Sequence, residues 1–303
     1  LESIGVLGFI GVGIAWRQLR WLPDADTVRR MVASAVFYGF LPVLTFRSML
    51  HAPVESVLWK VPLVATVSMV ITLLGAWLLV RNYPLDGRRR AALLLAATFG
   101  NVTYLGIPVL TMTIGAEHTF VAVLYDFAAS TPLLWTLGIG VALAVAAGNG
   151  LVAPIGRRIG ALPPLWAAAA GLALQLGGYS LPEPLDQMAG LISALVIPMM
   201  MFVFGLSLRW EYLRQWREFV GVGILKLFLA PAVALALALS LGLDKPIATA
   251  TVLEAAMPTM MLVLVVAERF GLDSEAVAAA IALTTVASAG TLPLWWWAMS
   301  MVW

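Results

Sequence analysis

At 303 residues, 62% hydrophobic and only 11% charged, the chain has too few polar groups to cover the surface of a soluble domain. The absence of cysteine excludes a disulfide scaffold and any cysteine-ligated metal or redox site, and two histidines, His51 and His118, leave little for a zinc enzyme. A net charge of +2 gives no sign of a nucleic-acid partner, because the basic residues follow a topological pattern.

Apolar runs long enough to cross a bilayer recur along the whole chain. In order, ten spans are predicted at about 3–16, 31–50, 61–80, 91–115, 119–147, 165–181, 187–208, 220–243, 247–267 and 276–302. The first is short, but it lacks the basic start and cleavage site of a signal peptide, so it is expected to be a true span. Connections that alternate along the chain carry Arg17, Arg20, Arg29 and Arg30, then Arg81, Arg88, Arg89 and Arg90, then Arg157 and Arg158, then Arg209, Arg214 and Arg217, and last Arg269. The opposite connections carry only Lys60 and Lys245, which puts the Arg-rich side in the cytoplasm and both termini outside. Trp16, Trp21, Trp59, Trp166, Trp210, Trp216 and Trp303 fall near span ends, where interfacial indoles belong. The lipid bilayer is thus the first expected partner, and the bacterial inner membrane the expected location.

Residues 148–164, with Gly148, Gly150, Pro154, Pro163 and Pro164, read as a cytoplasmic linker between a first five-helix half (1–147) and a second (165–303). Prolines repeat between the halves. Pro42 and Pro198 lie in the second and seventh spans, each with Phe four residues on (Phe46, Phe202). Pro108 and Pro258 lie in the fourth and ninth, and Pro132 and Pro293 in the fifth and tenth, each of the last pair with Trp three residues on (Trp135, Trp296). The offsets of 156, 150 and 161 residues are nearly constant. Five spans per half is an odd number, so the second half would insert upside down. The expected fold class is an all-α membrane protein of ten transmembrane helices, arranged as two inverted repeats with proline-broken helices 4 and 9.

The fourth span reads Gly100-Asn101-Val102-Thr103-Tyr104-Leu105-Gly106-Ile107-Pro108. It combines a buried amide, a close-approach glycine and a proline expected to free the Tyr104 carbonyl. This segment resembles the Asn…Gly-x-Pro motif of the auxin efflux carrier family, which includes bacterial organic-acid carriers and PIN-type exporters. The ninth and tenth spans agree, through Glu254-Ala255-Ala256-Met257-Pro258, Ala267-Glu268-Arg269-Phe270-Gly271 and Thr291-Leu292-Pro293-Leu294. The resemblance implies crossed helices 4 and 9, a scaffold of helices 1, 2, 6 and 7, and an elevator-like transport domain of helices 3–5 and 8–10. Bile acid:sodium symporters share that general architecture, and a homodimer through the scaffold helices would suit it.

By the same resemblance, Asn101 matches an asparagine that helps hold a substrate carboxylate, and Pro108 and Pro258 match the crossover prolines. Thr103, Tyr104, Gly106 and Thr259 complete the candidate substrate site. Where the family often has a polar residue after the second proline, this chain has Met260, Met261 and Leu262.

Ionisable residues inside spans are functional candidates. Glu254 is the deepest. Pro258 has no N–H, so the Glu254 carbonyl is expected to lose its helical partner and, with the carboxylate, to form a sodium or proton site. Asp126 and Lys226 are candidate ion-coupling neighbours, and pairing of Lys226 with Glu254 as a structural brace is the alternative. Arg47, near the outer end of its span, either snorkels to the headgroups or has a functional role. There is no HExxH, GxSxG or Walker lysine motif, so no enzyme is expected. The leading expectation is a secondary carrier of small organic anions. Rivals are a sodium-coupled bile-acid-type symporter and a membrane sensor, or channel, that does not act as a carrier.

Overall fold

A computed structural model describes residues 2–19, 22–52, 57–81, 83–138, 140, 144, 163–207 and 216–302. Most of the expected 148–164 linker lies outside the described residues, as do Arg20, Trp21, Arg157, Arg158, Arg209, Trp210, Arg214 and Trp303.

A chain in hydrocarbon must satisfy its backbone internally, and helices do so within one segment. Every regular element among the described residues is helical. They are α1 (Glu2–Gln18), α2 (Ala25–Leu50), α3 (Val57–Val80), α4 (Gly87–Thr98), α5 (Val102–Thr113) and α6 (Ala116–Gly138). Then follow α7 (Pro163–Leu176), α8 (Glu183–Ser207), α9 (Trp216–Ser240), α10 (Lys245–Ala255), α11 (Leu262–Phe270) and α12 (Ser274–Val302). Six of these, α2, α3, α6, α8, α9 and α12, are each long and apolar enough to cross a membrane. The predicted fourth and ninth spans each appear as two shorter helices, α4 with α5 and α10 with α11.

Helix ends follow side-chain chemistry. Asp24 and Asp86 accept the backbone N–H of Thr27 and Arg89, each at 2.8 Å, and Asp273 accepts that of Ala276 at 2.9 Å. Gly271 closes α11 with φ of 65°, a left-handed cap that glycine adopts without strain.

Pro42, Pro108 and Pro132 do not end their helices. Each follows a π turn by two residues, as does Pro231: the turns are Val36–Phe40, Val102–Gly106, Asp126–Ser130 and Leu225–Leu229. A π turn bonds five residues back, so the ladder is already widened where the proline N–H is missing. In α9 the Leu227 carbonyl, four residues before Pro231, instead accepts the Trp295 indole N–H at 2.8 Å. The neighbouring Ala230 carbonyl accepts the Ser68 hydroxyl at 2.7 Å.

The chain divides into two compact units, one of residues 1–55, 103–123 and 160–208, the other of 56–102, 124–159 and 209–303. In the first, glycine brings helix backbones together. A Cβ on Gly205 would strike the Ile10 carbonyl of α1, and one on Gly171 the Phe46 carbonyl of α2. Arg17 donates to the Leu206 carbonyl at 2.6 Å and pairs with Asp26 at 2.7 Å. Arg47 makes a two-pronged pair with Asp186 at 3.0 and 2.9 Å, fixed by the planar guanidinium. In the second unit, α3 packs on α4 and α9, and α10 packs on α9 and α12.

Large apolar side chains remain exposed, among them Met31, Leu74, Trp77, Leu191, Trp297 and Met301. Such a surface suits lipid rather than water.

Gly205→Val and Gly171→Val should each force two backbones apart, at a cost of about 1–3 kcal/mol. Gly8→Val, with nothing within 4 Å of its Cβ position, is the control. Thermal unfolding of the purified variants should separate the first two from the third.

Candidate functional site

The site lies in the second unit, where both interrupted helices have extended backbone. After α4 ends at Thr98, Phe99 turns into an extended conformation (φ −95°, ψ 125°), and α5 begins at Val102. After α10 ends at Ala255, six residues precede α11. The two breaks run antiparallel and pair at Gly100 and Thr259. Asn101 N–H donates to the Pro258 carbonyl at 2.7 Å, and Met260 N–H donates to the Phe99 carbonyl at 2.9 Å. Backbone groups that hydrocarbon could not satisfy are thus used by each other.

Side chains complete the pairing. Thr259 Oγ1 donates to the Ala96 carbonyl at 2.8 Å, one of the carbonyls left open at the end of α4. Its N–H donates to Thr284 Oγ1 of α12 at 3.0 Å, and that hydroxyl donates to the Ala280 carbonyl at 2.6 Å. Thr259 is fully buried.

The break in the fourth span lies at Phe99–Asn101 and not at Pro108. Pro108 lies inside the continuous helix α5, two residues past the π turn Val102–Gly106, where the widened ladder accommodates its missing N–H. The break in the ninth span does contain Pro258, but α10 stops three residues before it. The Glu254 carbonyl is therefore not freed, because the last turn tightens and Met257 N–H donates to it at 3.2 Å.

Glu254 is fully buried, and both carboxylate oxygens have no hydrogen-bond partner. Asp126 and Lys226 are near enough to act on it electrostatically, and Tyr125 is also in range. Asp126 is buried and accepts the Thr131 hydroxyl at 2.8 Å. Lys226 is not paired with Glu254 within 4.0 Å, so the expected structural brace is not made as an ion pair. Its Nζ donates instead to the Ala255 carbonyl at 2.9 Å. Asn101 is 2% exposed, and its Oδ1 is buried without a partner.

One unit thus contains Asn101, Pro258, Thr259, Glu254, Asp126 and Lys226. Thr103, Tyr104, Gly106 and Pro108 belong to the other, with Thr103 and Pro108 buried and Tyr104 partly so. That first unit also has a cavity of about 440 Å³ lined by Arg47, His51, Thr111, Glu117 and Ser193 among others. Among the described residues no three His, Asp or Glu groups are placed to hold a metal ion.

Sequence reasoning missed Thr284 and the full role of Gly100. The pair Thr284-Thr285 in an otherwise small and apolar run was the available signal for the first. For Gly100, it was a glycine directly before a buried asparagine.

Paired breaks inside apolar helices, edged by buried ionisable groups, suit a membrane transporter. Sequence comparison agrees. The chain belongs to the membrane transport protein family, the auxin efflux carrier family, whose sequence model matches residues 17–150 and 155–296. It is 31% identical over 277 residues to an uncharacterized transporter of Methanothermobacter thermautotrophicus, covering 90% of this chain and 88% of that one. It is 28% identical over 302 residues to a Rhizobium meliloti protein named "Putative malonate transporter", covering 95% and 92%. An uncharacterized transporter of Methanocaldococcus jannaschii is 25% identical over 78% of each chain. The protein is a multi-pass membrane transporter and not an enzyme.

Thr284→Val should leave the buried Thr259 N–H unpaired, at about 1–3 kcal/mol, whereas Thr284→Ser keeps the acceptor. Melting temperatures of the two variants against the parent check this.

Proposed function

We propose that the protein is an elevator-type secondary carrier of small organic anions. The observation that carries this reading is the paired helix break, with the unpartnered Asn101 amide oxygen on one strand and Lys226 against both. Beyond each break a half-helix, α5 or α11, begins with the positive end of its dipole, which suits a carboxylate. Asn101 adds an amide donor. The relative named for malonate makes a short dicarboxylate the first substrate to test.

Two further observations support the mechanism. One of the two compact units contains α1, α2, α7 and α8, the helices of the proposed scaffold, together with residues 103–123, which this reading assigns to the transport domain. The near-constant proline offsets support ten crossings in two inverted repeats, α4 with α5 and α10 with α11 each counting as one. The arginine asymmetry supports a cytoplasmic-membrane location with both termini outside.

In this reading Glu254 is the coupling residue and takes either a proton or a sodium ion. For sodium the carboxylate would have to be helped by neutral oxygens, such as the unpartnered Asn101 Oδ1. A buried carboxylate with no hydrogen-bond partner is also a natural proton carrier.

Counterflow of labelled malonate in proteoliposomes tests the carrier reading, since trans substrate accelerates exchange only in a carrier. Asn101→Ala should raise the malonate KM about tenfold to a hundredfold, the loss expected for a hydrogen bond to a charged group. An unchanged KM removes Asn101 from the site. Glu254→Gln should abolish the dependence of uptake on sodium or on a proton gradient while malonate binding remains measurable by thermal shift. Uptake in that variant with its ion dependence intact would show that coupling lies elsewhere.

A further inference from the structure

Lys226 is a buried cation that makes no direct ion pair, although Glu254 is near enough to act on it electrostatically. It is 2% exposed, on the π turn Leu225–Leu229 of α9. No carboxylate among the described residues pairs with it within 4.0 Å. Its one hydrogen bond goes to backbone, the Ala255 carbonyl at 2.9 Å. The opposite break makes room for it: a Cβ on Gly100 would lie 2.9 Å from Nζ and 3.0 Å from Cε. The Met257 carbonyl is 3.3 Å from the same point.

These neighbours share one property. Ala255 is the last residue of α10, and Gly100 follows closely on the end of α4 at Thr98. The C-terminal end of α10 therefore approaches Nζ with an open carbonyl and a negative dipole end, and the chain just past the end of α4 lies against the ammonium at Gly100. Backbone carbonyls at half-helix C-termini are the ligands that a hard monovalent cation takes inside a membrane. An ammonium is such a cation, supplied here on a four-carbon tether that cannot dissociate.

We propose that the Lys226 ammonium permanently fills a monovalent-cation site at the crossing of the two breaks. The crossing then stays assembled without any soluble ion at that point, and Gly100 is required because the ammonium stands where a side chain would begin. Glu254 is left as the separate group that can load and release an ion. The inference needs only the crossing and not the carrier reading, so a failed uptake assay would leave it standing.

The test is a melt of the purified full-length chain at fixed ionic strength in choline chloride, with other salts substituted. Lys226→Ala opens the site and removes the charge. Its Tm should fall by roughly 4 °C or more, and methylammonium should restore on the order of 3 °C with a saturable dose response. Tetramethylammonium, too large and without N–H donors, should not. The parent should show no response to methylammonium. Lys226→Met, close in volume and uncharged, should melt as low as the alanine variant and ignore methylammonium, and it keeps the test open if alanine does not fold. The proposal is overturned if Lys226→Met melts with the parent, because packing alone would then explain the lysine. It is equally overturned if Lys226→Ala is destabilised but no small cation rescues it.

Discussion

The structure turns on a rule of the bilayer: no backbone N–H or carbonyl can be left unpaired in hydrocarbon. Breaking a membrane helix violates that rule, and breaking two would violate it twice unless the breaks meet. Here they meet. Phe99 and Asn101 exchange hydrogen bonds with Met260 and Pro258, and the only β-type bridge among the described residues is the result. Pro258 suits its place, because it contributes a carbonyl and has no N–H to satisfy. Thr259 and Thr284 then consume an α4 carbonyl and one more amide. Three helices, α4, α10 and α12, owe their relative ends to these few bonds.

That constraint also explains why charge is tolerated at this depth. The same break that pairs most of the backbone leaves the Ala255 carbonyl, at the end of α10, to accept from Lys226. A buried lysine is costly in a lipid-facing helix, but beside helix C-termini its charge opposes that of the dipoles. Glu254 is in a different situation. Its carboxylate is buried with no donor at all, an arrangement that stability alone would not favour.

Much of this was legible in the sequence. Apolar runs located the helices, and Met257-Pro258 marked the second interruption, whereas the first falls at Phe99–Asn101 and not at Pro108, where the sequence placed it. The family likeness follows from the same residues. Less legible was how the backbone would respond to each proline. A proline shows where an N–H is missing, but a helix can meet the loss by ending early, as α10 does, or by widening upstream, as α2, α6 and α9 do. The choice depends on tertiary neighbours such as Trp295, which lies far along the chain from Leu227. The partner of Lys226 was equally hidden, since a backbone carbonyl has no signature in sequence. The alternative ion pair with Glu254 looked as reasonable on spacing, and the side chain reaches past it to Ala255.

The π turns have a geometric consequence of their own. Each admits one residue more than an α-helix would need for the same rise, and one residue corresponds to about 100° of rotation. A helix with such a turn presents two faces out of phase, one before the turn and one after it. In α9, Lys226 lies inside the turn that separates Trp216–Ile224 from Ala230–Ser240. The azimuth of its side chain is therefore set by an insertion in the helical count. Loss of one residue between Leu225 and Leu229 would preserve an apolar helix of nearly the same length, yet swing one flank by a quarter turn or more relative to the other. Hydropathy would record no change. Chain length within these turns is thus as much a determinant of the crossing as the identity of any side chain there.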